Sequence, residues 1–349
     1  VNELNVRAFA KCDGTDETAA LKRAIDVARY HKVELLVPAN TAVHYSEVLT
    51  LDGVSVRGFD DTSQLIALNE AKAAIVVRGK GPSLRNLRLG MVPNPTARKA
   101  PFEFSRVAVL WAQDWHLADL LIERAAGCGI ISSRGSCNGW IESVTVRGTL
   151  ADAVHMTDGT SHVTVFDCDA EGCGDDGIAV VSKREQAAIC SNIRAYHNRV
   201  RNSRGGRGLT VVGGQDVAYT DNFVENVLSG AGILVAQEDA YTTRGCKNVT
   251  VANNTVRNCG NVANGHTMVM VHSSGTEPNE GVLVSRNLAE QTTTDGWATP
   301  TPYGYRATGP GSNIELSGNV YVGPPDRARG NVSSALWTPY TGGPVGVMS

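Results

Sequence analysis

Six stretches decide the reading of this sequence: SHVTVFDC (161–168), SNIRAYHN (191–198), QDVAYTDN (215–222), KNVTVANN (247–254), EGVLVSRN (280–287) and SNIELSGN (312–319). Each places a β-branched residue third, alternates thereafter, and closes on Asn or Cys. A period of two marks a half-buried strand, and its recurrence along the chain marks a stacked repeat. The third positions are Val163, Ile193, Val217, Val249, Val282 and Ile314, separated by 30, 24, 32, 33 and 32 residues. Upstream, Val54, Leu84, Leu117 and Ile141 extend the frame at 30, 33 and 24, with 22 residues from Ile141 to Val163. Three five-residue strands joined by three bends need ~22 residues, so the short spacings are bare coils and the longer ones carry loops inserted at a bend.

A second column supports the register. Asn198, Asn222, Asn254, Asn287 and Asn319 each lie five residues after an anchor. Stacked at one bend, their side chains can satisfy backbone groups that a turn leaves without partners. At the chain start, TAALKRAIDVARYH (18–31) sets Ala20, Leu21, Ala24, Ile25 and Ala28 on one helical face, and a strand-like VELLVP follows. An amphipathic helix there would cover the exposed edge of a first coil. The expected fold is all-β: a single-stranded, elongated right-handed parallel β-helix of about ten coils with an N-terminal capping α-helix. It is expected as one domain over residues 1–349, with cap helix and first strand in 1–45, coils in 46–322 and a tail in 323–349.

Composition agrees with a large core: 349 residues, 42% of them hydrophobic. The net charge of −3 predicts no general attraction to nucleic acid or an acidic membrane. No apolar run approaches the ~18 residues of a membrane span, and no signal-like segment opens the chain. The eight cysteines form no C-x-x-C pair; several lie in valine-rich strands, where a buried thiol acts as a small apolar group.

The opening NVRAFAKCDGTDETAALKRAIDVARY (5–30), followed by VPANT (37–41), resembles that of pectate-lyase-superfamily β-helix proteins. That resemblance covers roughly the first 45 residues and implies the fold more than an activity, since lyases, hydrolases, epimerases and phage tailspikes share it.

The candidate chemistry lies in a column just before one strand of the coil. Aligning CGIISS, DAVHMT, DGIAVV, RGLTVV and AGILVA puts Cys128, Asp152, Asp176, Arg207 and Ala231 at the same position, with Asp175 beside Asp176. Neighbouring coils are ~4.8 Å apart, so three carboxylates are expected to crowd one bend. Crowding of that kind holds one carboxyl protonated as an acid while a neighbour stays ionised as a base. The pattern resembles the polygalacturonase family of glycoside hydrolases, in which an NTDG segment precedes GDD by one coil and a G-x-G-H-G segment follows. Here ADAVHM (151–156) leads to CGDDGIAV (173–180), and GGRG (205–208) comes next. By that resemblance Asp175 would be the general acid, with Asp152 and Asp176 as bases activating water for inversion. Leu150 and Ala151 replace the family's Asn and Thr, Arg207 replaces its histidine, and Leu234 and Ala236 fill the two basic positions of its R-I-K motif.

Arg207, His155, Glu238, Tyr241, Arg244 and Trp297 are the candidate substrate contacts. His155 would line a groove, Glu238, Tyr241 and Arg244 lie in a long insertion, and Trp297, Tyr303 and Tyr305 offer aromatic rings for sugar stacking. Trp111 and Trp115 flank the preceding coil and could serve the same end. His266 and His272 lack metal-like spacing and read as structural. The expected function is a polysaccharide-degrading, inverting glycoside hydrolase without metal or cofactor. Two alternatives stay open: a lyase or uronate epimerase using Arg207 as base with Ca²⁺, and a tailspike-like or non-enzymatic carbohydrate-binding β-helix. The expected partner is a polysaccharide or oligosaccharide, not nucleic acid or membrane. The chain would act as a monomer or homotrimer, secreted to the extracellular space or periplasm, or on a virion.

Overall fold

The computed structural model describes residues 3–292, 304–323 and 346–348. The chain divides into two compact units, Val1–His155 with Thr160–Asp169, and Met156–Gly159 with Ala170–Ser349. Each is built from β-helix coils, in which strands one circuit apart pair in parallel.

In the first unit the helix Thr18–His31 buries Leu21, Ala24, Ile25 and Ala28. The Asp16 carboxylate accepts the Thr18 amide at 3.0 Å, satisfying one of the open N–H groups at the helix start. Lys32 closes the other end in the left-handed conformation, its N–H donating to Ala28 and Arg29 carbonyls. The strand Glu34–Val37 pairs with Val56–Gly58, which pairs with Ser83–Met91. Three successive faces of one circuit are carried by Val107–Ala125, 19 residues bent at Trp111, Asp114, Asp119 and Arg124, all at positive φ. It pairs with three successive strands of the next coil: Ile130–Ser133, Cys137–Glu142 and Thr145–Thr149.

The register here corrects the upstream anchor column. Leu84 pairs with Val56, not Val54. Ile141 aligns with Val165, two residues past the expected partner, and Gly139 aligns with Val163 and Trp115. The apparent 22-residue coil is therefore a 24-residue one. The cause is a size exchange. The wholly buried Trp115 indole occupies the space above Gly139, where an added Cβ would lie 2.0 Å from the ring, so the column loses its β-branched residue in two coils.

In the second unit the expected anchors hold: Ile193, Val217, Val249, Val282 and Ile314 pair in that order. The asparagine ladder holds too. From Asn222 onward, each side-chain oxygen accepts both the backbone N–H and the Nδ2–H of the asparagine one coil before, for example Asn222 onto Asn254 at 3.0 and 2.9 Å. Every ladder asparagine is at most 2% exposed. A second column runs Ile178, Leu209, Ile233, Val269 and Tyr305. Inserted residues gather at the two bends flanking that column. One residue, Gly213, links Leu209–Val212 to Gly214–Thr220, whereas residues 238–246 link Ile233–Gln237 to Lys247–Ala252. Cys168, Cys246 and Cys259 lie buried among apolar neighbours, which pushes their thiols up to about 12, 11 and 12. Among the described residues no helix is long and apolar enough to cross a membrane.

Candidate active site

In the second unit, a bend brings together residues distant in sequence. Gly177 donates its N–H to the Arg207 carbonyl at 3.0 Å, and Gly208 donates to that of Ala231 at 3.1 Å. Asp176, Arg207 and Ala231 therefore hold the same place in successive coils, as the sequence alignment required. The Arg207 amide donates to Asp176 Oδ1 at 2.7 Å, with Nε at 3.8 Å from the same oxygen. Its Nη2 donates to both Glu238 oxygens, at 3.2 and 3.0 Å. Gly206 lets the backbone pass: a Cβ there would meet Asp175 Oδ1 at 2.2 Å and Asp176 Oδ1 at 2.5 Å.

The cluster is largely shielded from water. Asp176 is 6% exposed, and the Arg207 and Glu238 side chains 16% and 18%. Burial opposes the charge on Arg207, but Asp176, Glu238 and Asp175 outweigh it and raise its pKa above the ordinary arginine value. Held as a cation among three carboxylates, Arg207 is a poor base for the elimination alternative. Burial raises the Glu238 pKa, Arg207 opposes this, and the negative charge of Asp176 and Asp175 adds to the rise. Asp176 Oδ1 thus faces both the amide and the guanidinium of Arg207.

His266 is a member that sequence reasoning missed. Its Nδ1 accepts the Ala231 N–H at 3.2 Å. Burial first, then Arg207 and His272, lowers its pKa to about 4, so it is neutral at ordinary pH. It sits in a lengthened bend, residues 258–268, where no period signals position.

In the first unit, Asp152 is 3% exposed and occupies the place that Cys128 holds one coil earlier, since the Gly129 N–H donates to the Asp152 carbonyl at 2.9 Å. His155 Nδ1 makes a short hydrogen bond to Asp152 Oδ2.

The other candidates are scattered. Arg244 donates Nη2 to the carbonyls of Arg184 and Gln186 at 3.4 and 2.8 Å and so braces one inserted loop against another. Tyr241 is 62% exposed on the short turn Asp239–Tyr241. Trp297 and Tyr303 lie outside the described residues. Tyr305, expected as an exposed ring, is instead wholly buried and donates to the Asn287 carbonyl at 2.8 Å, because it belongs to the inward column. Trp115 is likewise enclosed, while Trp111 is 62% exposed beside Arg134. Leu234 and Ala236 are buried in an apolar cluster with Val212, Ala231 and Met270.

A family model described as alpha-1,3-glucanase catalytic domain D2 matches residues 128–267. No curated protein matches the chain. The Agl-KA catalytic domain is similar in structure, with a TM-score of 0.72 and 16% identity, over 91% of this chain and 58% of that one. An aspartate-to-alanine variant of the catalytic domain of GH87 alpha-1,3-glucanase, in complex with tetrasaccharides, gives 0.72 and 14% over 88% and 57%. The Dettilon tailspike protein gives 0.67 and 15% over 92% and 61%. The chain thus spans about three fifths of the length of these structures, and the fold they share with it is the right-handed parallel β-helix. The stretch that the glucanase model matches runs from Cys128 to Thr267 and contains both carboxylate groups described above.

Proposed function

We propose that this chain hydrolyses a neutral polysaccharide, with an α-1,3-linked glucan as the first substrate to test, through Asp152, Asp175 and Asp176. The observation that carries the reading is the Gly-Asp-Asp bend, with Asp176 Oδ1 held by the amide of Arg207 and facing its guanidinium. Asp175, the less buried of the pair, is assigned as the acid that protonates the leaving oxygen. Asp176 and Asp152 are assigned as the bases that deprotonate the attacking water, giving inversion.

Two further observations support it. Cys128 to Asp152 is a 24-residue circuit, Arg207 to Ala231 is another, and Asp152 to Asp176 has that same length. The GH87 structures with bound nigerose or tetrasaccharides include aspartate-to-alanine variants at three positions, the second 23 residues after the first and the third adjacent to it. Asp152, Asp175 and Asp176 have that spacing. Apolar Leu234 and Ala236, where the uronate-reading family carries basic residues, favour an uncharged sugar. Hydrolysis of an extracellular polymer would place the protein outside the cell, or on a virion in view of the tailspike likeness.

The test is release of reducing ends from α-1,3-glucan, with the anomer of the first product followed by NMR. Asp175→Asn is expected to lower kcat by at least 10³-fold. Undiminished turnover in that variant, or a product bearing a C4–C5 double bond, overturns the assignment.

A further inference from the structure

We infer that Cys128, Asp152 and His155 form a binding site for a thiophilic divalent cation of the zinc class. The three residues offer one sulfur, one carboxylate oxygen and one imidazole nitrogen, all within 4.8 Å of one another. A cation ~2.0–2.3 Å from each of three donors needs them roughly 3.5 Å apart, within about an ångström of the spacing these atoms already have. The backbone is already set. The hydrogen bond from Gly129 to the Asp152 carbonyl holds Cys128 and Asp152 at equivalent places in successive coils. His155 lies three residues on, already bonded to Asp152. Asp152 is buried, whereas Cys128 and His155 are part-exposed and leave a path for entry.

The donor set chooses the metal. Calcium seeks six to eight oxygens, which these residues do not supply. A thiolate, an imidazole and a carboxylate together suit zinc, cobalt or cadmium, with a fourth position left to water. Binding releases the Cys128 thiol proton to solvent, and the His155 proton that faces Asp152 moves to Nε2, so that a neutral imidazole ligates through Nδ1. No electron transfer is involved. The consequence for activity rests on the reading above: a carboxylate committed to a cation cannot also take a proton from water, so the cation inhibits hydrolysis.

Co²⁺ added to chelator-treated protein is expected to give a near-ultraviolet thiolate-to-cobalt band that saturates at one equivalent and is displaced by Zn²⁺. Cys128→Ser is expected to abolish the band and His155→Gln to weaken it at least tenfold in affinity. Zn²⁺ should protect Cys128 from alkylation, followed peptide by peptide against the other part-exposed cysteines, Cys12 and Cys137. Zn²⁺ should inhibit the wild-type chain, while Cys128→Ser keeps its basal activity and needs at least tenfold more Zn²⁺ for half-inhibition. Absence of the band, or its persistence in Cys128→Ser, overturns the site. A band that depends on Cys128 without any inhibition upholds the cation site and overturns the catalytic role of Asp152.

Discussion

Arg106 is wholly enclosed in the first unit. Its guanidinium donates to the Tyr45 hydroxyl at 3.2 Å and to the carbonyls of Ala73 and Gly90 at 2.9 and 2.8 Å. A buried cation is costly unless hydrogen-bonded, and here its two terminal nitrogens tie together Tyr45, Ala73 and Gly90. Arg106→Ala removes those donors and leaves a cavity, so a loss of about 3 kcal/mol is expected in urea unfolding. His266 predicts a pH dependence. An unfolded histidine takes its proton near pH 6.5, but His266 takes it only near 4. Between these values the unfolded chain binds the proton and the folded chain does not. The His266 contribution is therefore complete above pH 6.5 and shrinks as pH falls toward 4, by about 3 kcal/mol. Glu238, whose pKa is raised, acts in the opposite sense: its contribution is greatest at low pH and is lost as pH rises through its folded value. Thermal melts of wild type and His266→Asn should converge as the solution is acidified through that window. Parallel curves would show that His266 does not carry the effect.

At the scale of the element, the asparagine ladder is the clearest support. Asn254 donates to Asn287 Oδ1 and to the Tyr219 carbonyl, each at 2.9 Å, and accepts two bonds from Asn222. Asn254→Ala leaves buried donors and an acceptor without partners, and about 3 kcal/mol of destabilisation is expected in denaturant titration. Asn254→Asp should be worse, because an added charge faces the Asn287 oxygen. This ladder was legible in the sequence because every member obeys one local rule, five residues after an inward β-branched anchor. The upstream coils broke that rule. Trp115 and Gly139 solve the same packing problem with one large and one absent side chain, and a search for β-branched anchors slid two residues onto Leu117 and Ile141. The Asp176–Arg207 column was legible for the same reason as the ladder. His266 and the bracing role of Arg244 were not, since inserted bends carry no period.

At the scale of the whole molecule, the proposed hydrolysis draws on carboxylates and a fixed guanidinium, with no step requiring a bound cation. Exhaustive dialysis against a chelator is expected to leave the rate of reducing-end release from α-1,3-glucan unchanged, or to raise it where thiophilic metal had been carried through purification. A tenfold fall restored by Ca²⁺ would point instead to calcium-assisted chemistry. The fold was legible at this scale because a solenoid repeats its reasons; the sugar it accepts was not, because selectivity resides in what each coil does differently.

The unequal coil lengths have one more implication. Circuits of 24 and 32 residues stack in the second unit with the same strand register, because alignment is carried by the inward anchors and the asparagines. The strand register is therefore set without the tips of the longer connections, whose lengths differ from coil to coil. Evolution, or an engineer, can vary 239–243, between the Glu238 that grips Arg207 and the Arg244 that braces the neighbouring loop, while the anchors and asparagines beneath keep their register.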